Sequence, residues 1–274
     1  MTRRECLKRL GFSSAGLLLA GYPVMIEPCL LEINHYKIPL PNLPPAFEGF
    51  RILQITDTHL GNITPAWFIQ SVIQTANRIP CDLMVFTGDA VQSDHSAEYL
   101  QTIWSLLGEL QAPLGVFAVF GNHDHWIGFD QSLHWAGKMG LSLRHQGKRL
   151  TRQNQHLWLG GLGDCWEDSP GDELCFANAD AKDCKIALAH NPDTADLPLS
   201  VPIDLFISGH THGGQVNLPF LREMAAPINN KAYLHGLVKT PSSQVFISRG
   251  IGCTGIPLRF RCTPEIAILT LTCA

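Results

Sequence analysis

The sequence predicts a layered α/β fold, and three observations carry that prediction. Apolar runs of strand length alternate with stretches of helical period from residue 49 onward. Most of these runs stop at a short block of Gly, Asp, Asn and His. Hydrophobic residues make up 45% of the 274 and charged residues 16%, enough apolar material for a full core. At roughly 150 residues per domain, the length suits one large domain with an N-terminal appendage. Twenty Lys and Arg against 24 Asp and Glu, a net charge of −4, leave no overall basic field, which argues against a nucleic-acid partner. The nine cysteines are scattered without a CxxC pair, so neither a zinc ribbon nor a dense disulfide framework is expected.

In chain order, residues 1–9 carry four basic side chains and one acid, and residues 10–26 run without a charge. This is the layout of an export signal. The uncharged run is 17 residues, short of the ~20 of a comfortable membrane span, and Gly11, Gly16, Gly21 and Pro23 interrupt it. No A-x-A cleavage site follows, so 1–26 reads as a signal or as an uncleaved anchor, with the basic start of an ordinary helix as the plain alternative. Thr2-Arg3-Arg4-Glu5-Cys6-Leu7-Lys8 is similar to the twin-arginine export pattern, with Cys6 where phenylalanine is usual. Residues 27–48 read as a lead-in strand and a Pro-rich linker, and 49–274 as the main domain. Strands are expected at 51–56, 83–87, 115–120, 157–161, 185–189, 205–208, 244–248 and 266–271. One helix is expected at 65–78, where Phe68, Ile69, Val72, Ile73 and Ala76 share a face, and another at 97–110, with Leu100, Ile103, Trp104 and Leu107.

The strand ends carry the chemistry. Asp57-Thr58-His59, Gly88-Asp89, Gly121-Asn122-His123-Asp124, His190-Asn191 and Gly209-His210-Thr211-His212 each follow an apolar run. In an open α/β sheet, ligands collect at the carboxyl ends of strands, so blocks separated by up to 155 positions can converge on one site. Asp57 and His59 are two apart, as are His210 and His212, and in extended backbone such residues point the same way. Each pair can therefore hold one metal ion. Two carboxylates, one amide and four imidazoles without a thiolate suit Mn, Fe or Zn. Two divalent ions would outweigh both carboxylates and an attacking hydroxide, leaving a positive site for a phosphate substrate.

These blocks, in this order, resemble the calcineurin-like metallophosphoesterase superfamily, whose pattern is D-x-H, GD, GNH-D/E, a lone His, then G-H-x-H. The resemblance runs from about residue 27 to the C-terminus. His190-Asn191-Pro192-Asp193, Gly209-His210-Thr211-His212-Gly213-Gly214-Gln215 and Pro264-Glu265-Ile266 are similar to the branch of bacterial phosphodiesterases exported by the twin-arginine route. The resemblance implies a four-layer α/β/β/α sandwich with the metal site at the C-terminal ends of the strands. It implies Asp57, His59, Asp89 and His212 on one metal and Asp89, Asn122, His190 and His210 on the other, with Asp89 bridging. It further makes His123 the acid that protonates the leaving oxygen, and Asp124 the group that orients His123 and raises its basicity. The implied activity is metal-dependent hydrolysis of a phosphodiester or pyrophosphate, exported or anchored at the outer face of the cytoplasmic membrane. Its partners would be the translocation machinery and, through the N-terminus, the membrane. The superfamily also holds lipid-linked pyrophosphatases such as UDP-2,3-diacylglucosamine hydrolase, an alternative that needs the cytoplasmic side of the membrane. Many members carry Asp or Arg three residues after the bridging Asp, where this chain has Gln92.

Outside these blocks the plainer readings win. His35, His95, His134, His145 and His156 read as surface or hydrogen-bonded histidines, while His125 and Trp126 either line the pocket or simply pack. Arg144, His145, Lys148, Arg149 and Arg152 read as a solvated turn between strands, with a contact for anionic lipid or a nucleotide phosphate as the alternative. The apolar stretch 218–228 either covers the core or accepts an acyl chain. Cys165, Cys175 and Cys184, and Cys253 and Cys262, become candidates for disulfides if the domain is exported. A catalytically dead envelope-binding protein would be expected to have lost ligands, and this sequence has all seven.

Overall fold

Two sheets face each other across the main core, and the alternation of side chains along their strands explains why. In a computed structural model, residues 21–92, 97–218 and 226–274 are described. The first sheet has the order β1 (Glu32–Leu40), β11 (Glu265–Cys273), β2 (Arg51–Ile55), β3 (Leu83–Thr87), β4 (Val116–Val119). The second runs β5 (Gln146–Arg152), β6 (Gln155–Gly161), β7 (Lys185–Leu188), β8 (Leu205–Ser208), β10 (Gln244–Ile247), β9 (Gly236–Lys239). Successive side chains of a strand point to opposite faces. Ile52, Leu83 and Val85 therefore meet Ile186, Leu188, Leu205 and Ile207 between the sheets. Their neighbours Leu53, Ile55, Met84 and Phe86 face the other way, onto the helices. With both faces covered, the central strands read as continuous apolar runs rather than alternating ones.

Three helices cover the outer face of the first sheet: α1 (Ala66–Ala76), α2 (Leu100–Leu107) and α3 (Asn122–Lys138). The expected buried face of α1 is the observed one. The second helix is shorter than the expected 97–110, because a 3-10 turn at Ala97–Tyr99 precedes it and Gly108 ends it. The outer face of the second sheet is covered by the short α4 (Asp172–Cys175), a 3-10 turn at Pro192–Asp196, and Ala226, Ile228, Tyr233 and Leu234. The four expected layers are present, the last built of short pieces.

Three expectations need correction. Most of the basic stretch is not a turn: Lys148, Arg149 and Arg152 lie in strand β5, antiparallel to β6, in which only Leu150 is buried. Charge along an edge strand discourages pairing with another chain. The Pro-rich stretch is not a loose linker. Leu43, Phe47 and Phe50 are buried between the sheets, and β1 pairs in parallel with β11 along its whole length. Lastly, α3 was not expected, because its first turn is the Gly121-Asn122-His123-Asp124 block itself.

Residues 1–20, with the twin arginines and most of the uncharged run, lie outside the described residues, as do His95 and 219–225. Among the described residues no helix is long and apolar enough to cross a membrane. The described cysteines, Cys29 to Cys273, are all free thiols.

Candidate metal centre

Parallel neighbours β2, β3 and β4 end on the same side as β7 and β8 of the facing sheet, which is what brings the polar blocks together. Buried Gln54, set among the apolar Ile52, Leu53 and Ile55 of β2, fastens the two sheets there. Its amide donates to Thr87 Oγ1 at 2.7 Å and across the sandwich to the Ser208 carbonyl at 2.9 Å. Beyond the strand ends the chain turns sharply. Asp57, His59, Asp89, His210 and His212 all have positive φ, between 43° and 71°. These are half of the ten non-glycine residues so placed among the described residues. Such left-handed backbone costs of order 1–3 kcal/mol per residue and persists where the surroundings enforce it. The expectation that each i, i+2 pair would lie on extended backbone is therefore corrected. The backbone is left-handed at all four residues, and His210 and His212 part company instead of sharing a cluster.

Asp57, His59 and His212 form one group and Asp89, His190 and His210 another. In the first, His59 Nε2 lies 2.9 Å from His212 Nε2, and His212 Nε2 lies 3.5 Å from Asp57 Oδ1. In the second, His190 Nε2 lies 3.1 Å from His210 Nδ1. Asp89 stands between the groups, its Oδ2 being 3.5 Å from His59 Nε2 and 3.2 Å from His190 Nε2. Asn122 opens α3 beside them, 2% exposed, and its side-chain oxygen has no hydrogen-bond partner.

The outer nitrogens of three of the rings face carbonyls. His190 Nδ1 faces the Thr87 carbonyl at 2.7 Å, His210 Nε2 faces that of Pro227 at 3.1 Å, and His212 Nδ1 faces that of Gly252 at 3.3 Å. A proton on the carbonyl-facing nitrogens of His190 and His210 would leave their other nitrogens free to ligate an ion, while His212 Nδ1 is shared between the Gly252 carbonyl and the Arg259 guanidinium. Clustered imidazoles, an orphaned amide oxygen and two buried carboxylates leave donor capacity unused unless a cation lies among them. The donor set fits metal ions.

Charge at the site follows from the burial. Burial, with Asp89 as neighbour, raises the Asp57 carboxyl. Burial alone would raise Asp89 too, yet His190 and His123 hold it well below the usual carboxylate range. Burial opposes the charge on His190, but Asp89 and its hydrogen bond raise it to about 10. Burial lowers His59 to about 3, helped by His123, and lowers His210 to about 3, helped by His190.

The close approach needs glycine at two places. A Cβ on Gly121 would lie 2.3 Å from Asp89 Oδ1, and one on Gly209 would lie 2.2 Å from Asp57 Oδ2. Asp124, fully buried, accepts the backbone N–H of Gly121, Asp89 and Ala90 at 2.9 to 3.0 Å. These hydrogen bonds fix the main chain on which Asp89 and His123 sit, and Asp89 Oδ1 in turn accepts the His123 N–H at 2.9 Å. The His123 ring lies 4.6 Å from that of His59.

Two residues near the centre were missed. Arg259 is fully buried, with Nη2 3.3 Å from His212 Nδ1 and hydrogen bonds to the carbonyls of Gly252, Cys262 and Arg249. Nothing in its local sequence marks it. Asp164 is 1% exposed, and burial raises its carboxyl to about 6. Its signal was available: Gly163-Asp164 closely follows β6, much as Gly88-Asp89 follows β3. Four histidines outside the centre, His35, His134, His145 and His156, are surface or hydrogen-bonded as expected. His145 meets the Ser169 carbonyl, His156 pairs with Asp183, and His35 and His134 are exposed.

A phosphoesterase class is what this arrangement defines, and the calcineurin-like phosphoesterase signature matches residues 50–214, so the chain belongs to that family of metal-dependent hydrolases. It is 34% identical to the uncharacterized metallophosphoesterase YkuE of Bacillus subtilis, over 99% of this chain and 98% of that one. It is 30% identical to the phosphodiesterase YaeI of Escherichia coli, over 99% of each chain. A further relative, at 27% identity over 89% of this chain and 90% of its own, is the UDP-2,3-diacylglucosamine pyrophosphatase LpxG of Chlamydia muridarum.

Proposed function

We propose that the chain is a dinuclear phosphodiesterase. Asp57, His59, Asp89 and His212 would hold one ion and Asp89, Asn122, His190 and His210 the other, with Mn, Fe or Zn suited to these donors. When bound, such ions supply Lewis acidity toward the phosphoryl oxygens and ease deprotonation of the attacking water. The remaining tasks belong to the chain. Asp89 keeps the two ligand groups in register, Asp124 holds the turn beneath it, and His123 protonates the departing alkoxide. The observation that carries the reading is the convergence of ring nitrogens from both groups on Asp89 Oδ2. Diesters rather than monoesters are supported by the relative named a phosphodiesterase.

The proposed location is the outer face of the cytoplasmic membrane, reached through the twin-arginine machinery and held by the N-terminus. Its support is the pattern at Arg3 and Arg4, followed by exposed Val24, Met25 and Ile26. A second reading, a lipid-linked pyrophosphatase, is favoured by an apolar cleft of about 200 Å3 against His210 and His212, walled by Val216, Pro227 and Ile256. The relative LpxG supports it also.

A pair of variants tests the assignment. Asp89→Asn should lose both metals and hydrolysis together, because one carboxylate serves both groups. His123→Asn should keep both metals and lose ~10²–10⁴-fold in kcat, more for an alkyl diester than for bis-p-nitrophenyl phosphate, whose leaving group needs no proton. Normal metal content and rate in Asp89→Asn, or equal defects on both substrates in His123→Asn, would overturn the reading.

A further inference from the structure

Two exposed indoles stand at the lip of the candidate centre. Trp126 is 51% exposed and lies one helical turn after His123 on α3, with its ring 4.9 Å from the His123 ring. Trp166 is 44% exposed and meets His210 edge to face at 4.7 Å. One tryptophan therefore adjoins the proposed acid and the other a proposed ligand of the second ion. They are also joined mechanically, since Glu167, next to Trp166, accepts the Trp126 indole N–H at 2.8 Å.

The turn bearing Trp166 is stiff. Asp164 accepts the Trp166 N–H at 2.9 Å with its carboxylate and the Asp168 N–H at 2.8 Å with its carbonyl. A Cβ on Gly163 would lie 2.1 Å from the Ser169 carbonyl, and Asp168 is clasped by Arg144. Two acidic groups beside the indoles are thus already engaged, Glu167 with Trp126 and Asp168 with Arg144. What the rim presents to a ligand is two aromatic faces held in place beforehand. Isolated exposed tryptophans need no explanation, but two fixed against histidines of the centre do.

We infer that Trp126 and Trp166 form a stacking subsite for a flat aromatic group esterified to the scissile phosphate. This rests on the phosphoesterase reading and adds its specificity. Ions would neutralise the phosphoryl oxygens, leaving the ester substituent to be recognised by the indoles. Stacking on an aromatic side chain is sequence- and substituent-tolerant, so a nucleobase and a simple aryl ring satisfy the same chemistry.

The test measures inhibition of bis-p-nitrophenyl phosphate hydrolysis by AMP, phenyl phosphate, octyl phosphate and methyl phosphate, alongside quenching of tryptophan fluorescence by each. The proteins are wild type, Trp126→Ala, Trp166→Ala and the corresponding Phe variants. The Ala variants should bind AMP or phenyl phosphate about tenfold more weakly and methyl phosphate unchanged, and the Phe variants should recover much of the loss. A loss confined to AMP identifies a nucleoside substituent, and a loss confined to phenyl phosphate an aryl one. Equal losses for methyl phosphate would make the tryptophans structural, and equal losses for octyl phosphate would make them a non-selective apolar lip. Either result overturns the subsite. A wild-type protein that hydrolyses no phosphoester with metals bound would overturn the phosphoesterase reading itself. An active wild type with unselective variants would overturn the subsite alone.

Discussion

Gly121→Ala isolates the bridging position without touching a ligand. Gly121 has φ −107° and ψ −179°, a conformation alanine adopts freely, so the backbone itself imposes no penalty. The added methyl would lie 2.3 Å from Asp89 Oδ1 and 2.7 Å from the His190 ring. Ordinary contact begins near 3.4 Å, so the carboxylate must yield by roughly 1 Å. It would also leave the His123 N–H that it now accepts. Overpacking of this kind costs about 1–3 kcal/mol, a fall of several degrees in Tm for a domain this size. A displacement near 1 Å at a group that positions the reaction costs ~10²-fold in rate. The assay is kcat/KM on bis-p-nitrophenyl phosphate with metal content measured on the same sample. Gly137→Ala serves as control. That glycine lies late in α3 with open space around it, so alanine there should raise stability by up to ~1 kcal/mol and leave the rate alone. A Gly121→Ala protein with wild-type kcat/KM and full metal would refute the placement of Asp89 and His190 at the reacting centre.

Metal uptake should release protons. At about pH 6 the Asp57 carboxyl, raised mainly by burial to about 7, and His190, raised by Asp89 to about 10, both keep a proton in the metal-free protein. Ligation requires both to lose it, so apparent affinity should rise with pH across this range. Calorimetric titration with Mn in two buffers of different ionisation enthalpy would reveal the release, and identical apparent enthalpies would contradict it. For export, Arg3→Lys together with Arg4→Lys should block delivery of a reporter that must cross the membrane folded. Unchanged delivery would remove the twin-arginine route.

The parts of the fold legible in the sequence were those where one physical signal acted alone. Buried central strands are apolar runs, and α1 repeats at helical period, so both were placed to within a few residues. The strand-end blocks announced the site because Asp and His gather there for no packing reason. Edge elements were harder. Strand β5 carries exposed Lys148 and Arg149 in place of an alternating apolar pattern and turns at Gln153 and Asn154, both left-handed but without the Asn-Gly pair that usually marks such a hairpin. Helix α3 was concealed because its capping residues are also the site's motif, with Asp124 accepting the Gly121 N–H. Gln54 reaches Ser208 across 154 positions and Arg259 reaches His212 across 47, and no local pattern reports such a partner.

The left-handed turns at Asp57, His59, Asp89, His210 and His212 set stability and activity against each other at the same five positions. Glycine at any of them would relax the main chain, and each such change would delete a proposed metal donor. A screen that rewards heat resistance alone should therefore enrich substitutions in these turns, producing sturdier proteins that no longer turn over substrate. In a chain drifting without demand for catalysis, these would be among the first residues to go. Any attempt to harden the enzyme should therefore leave these five positions alone.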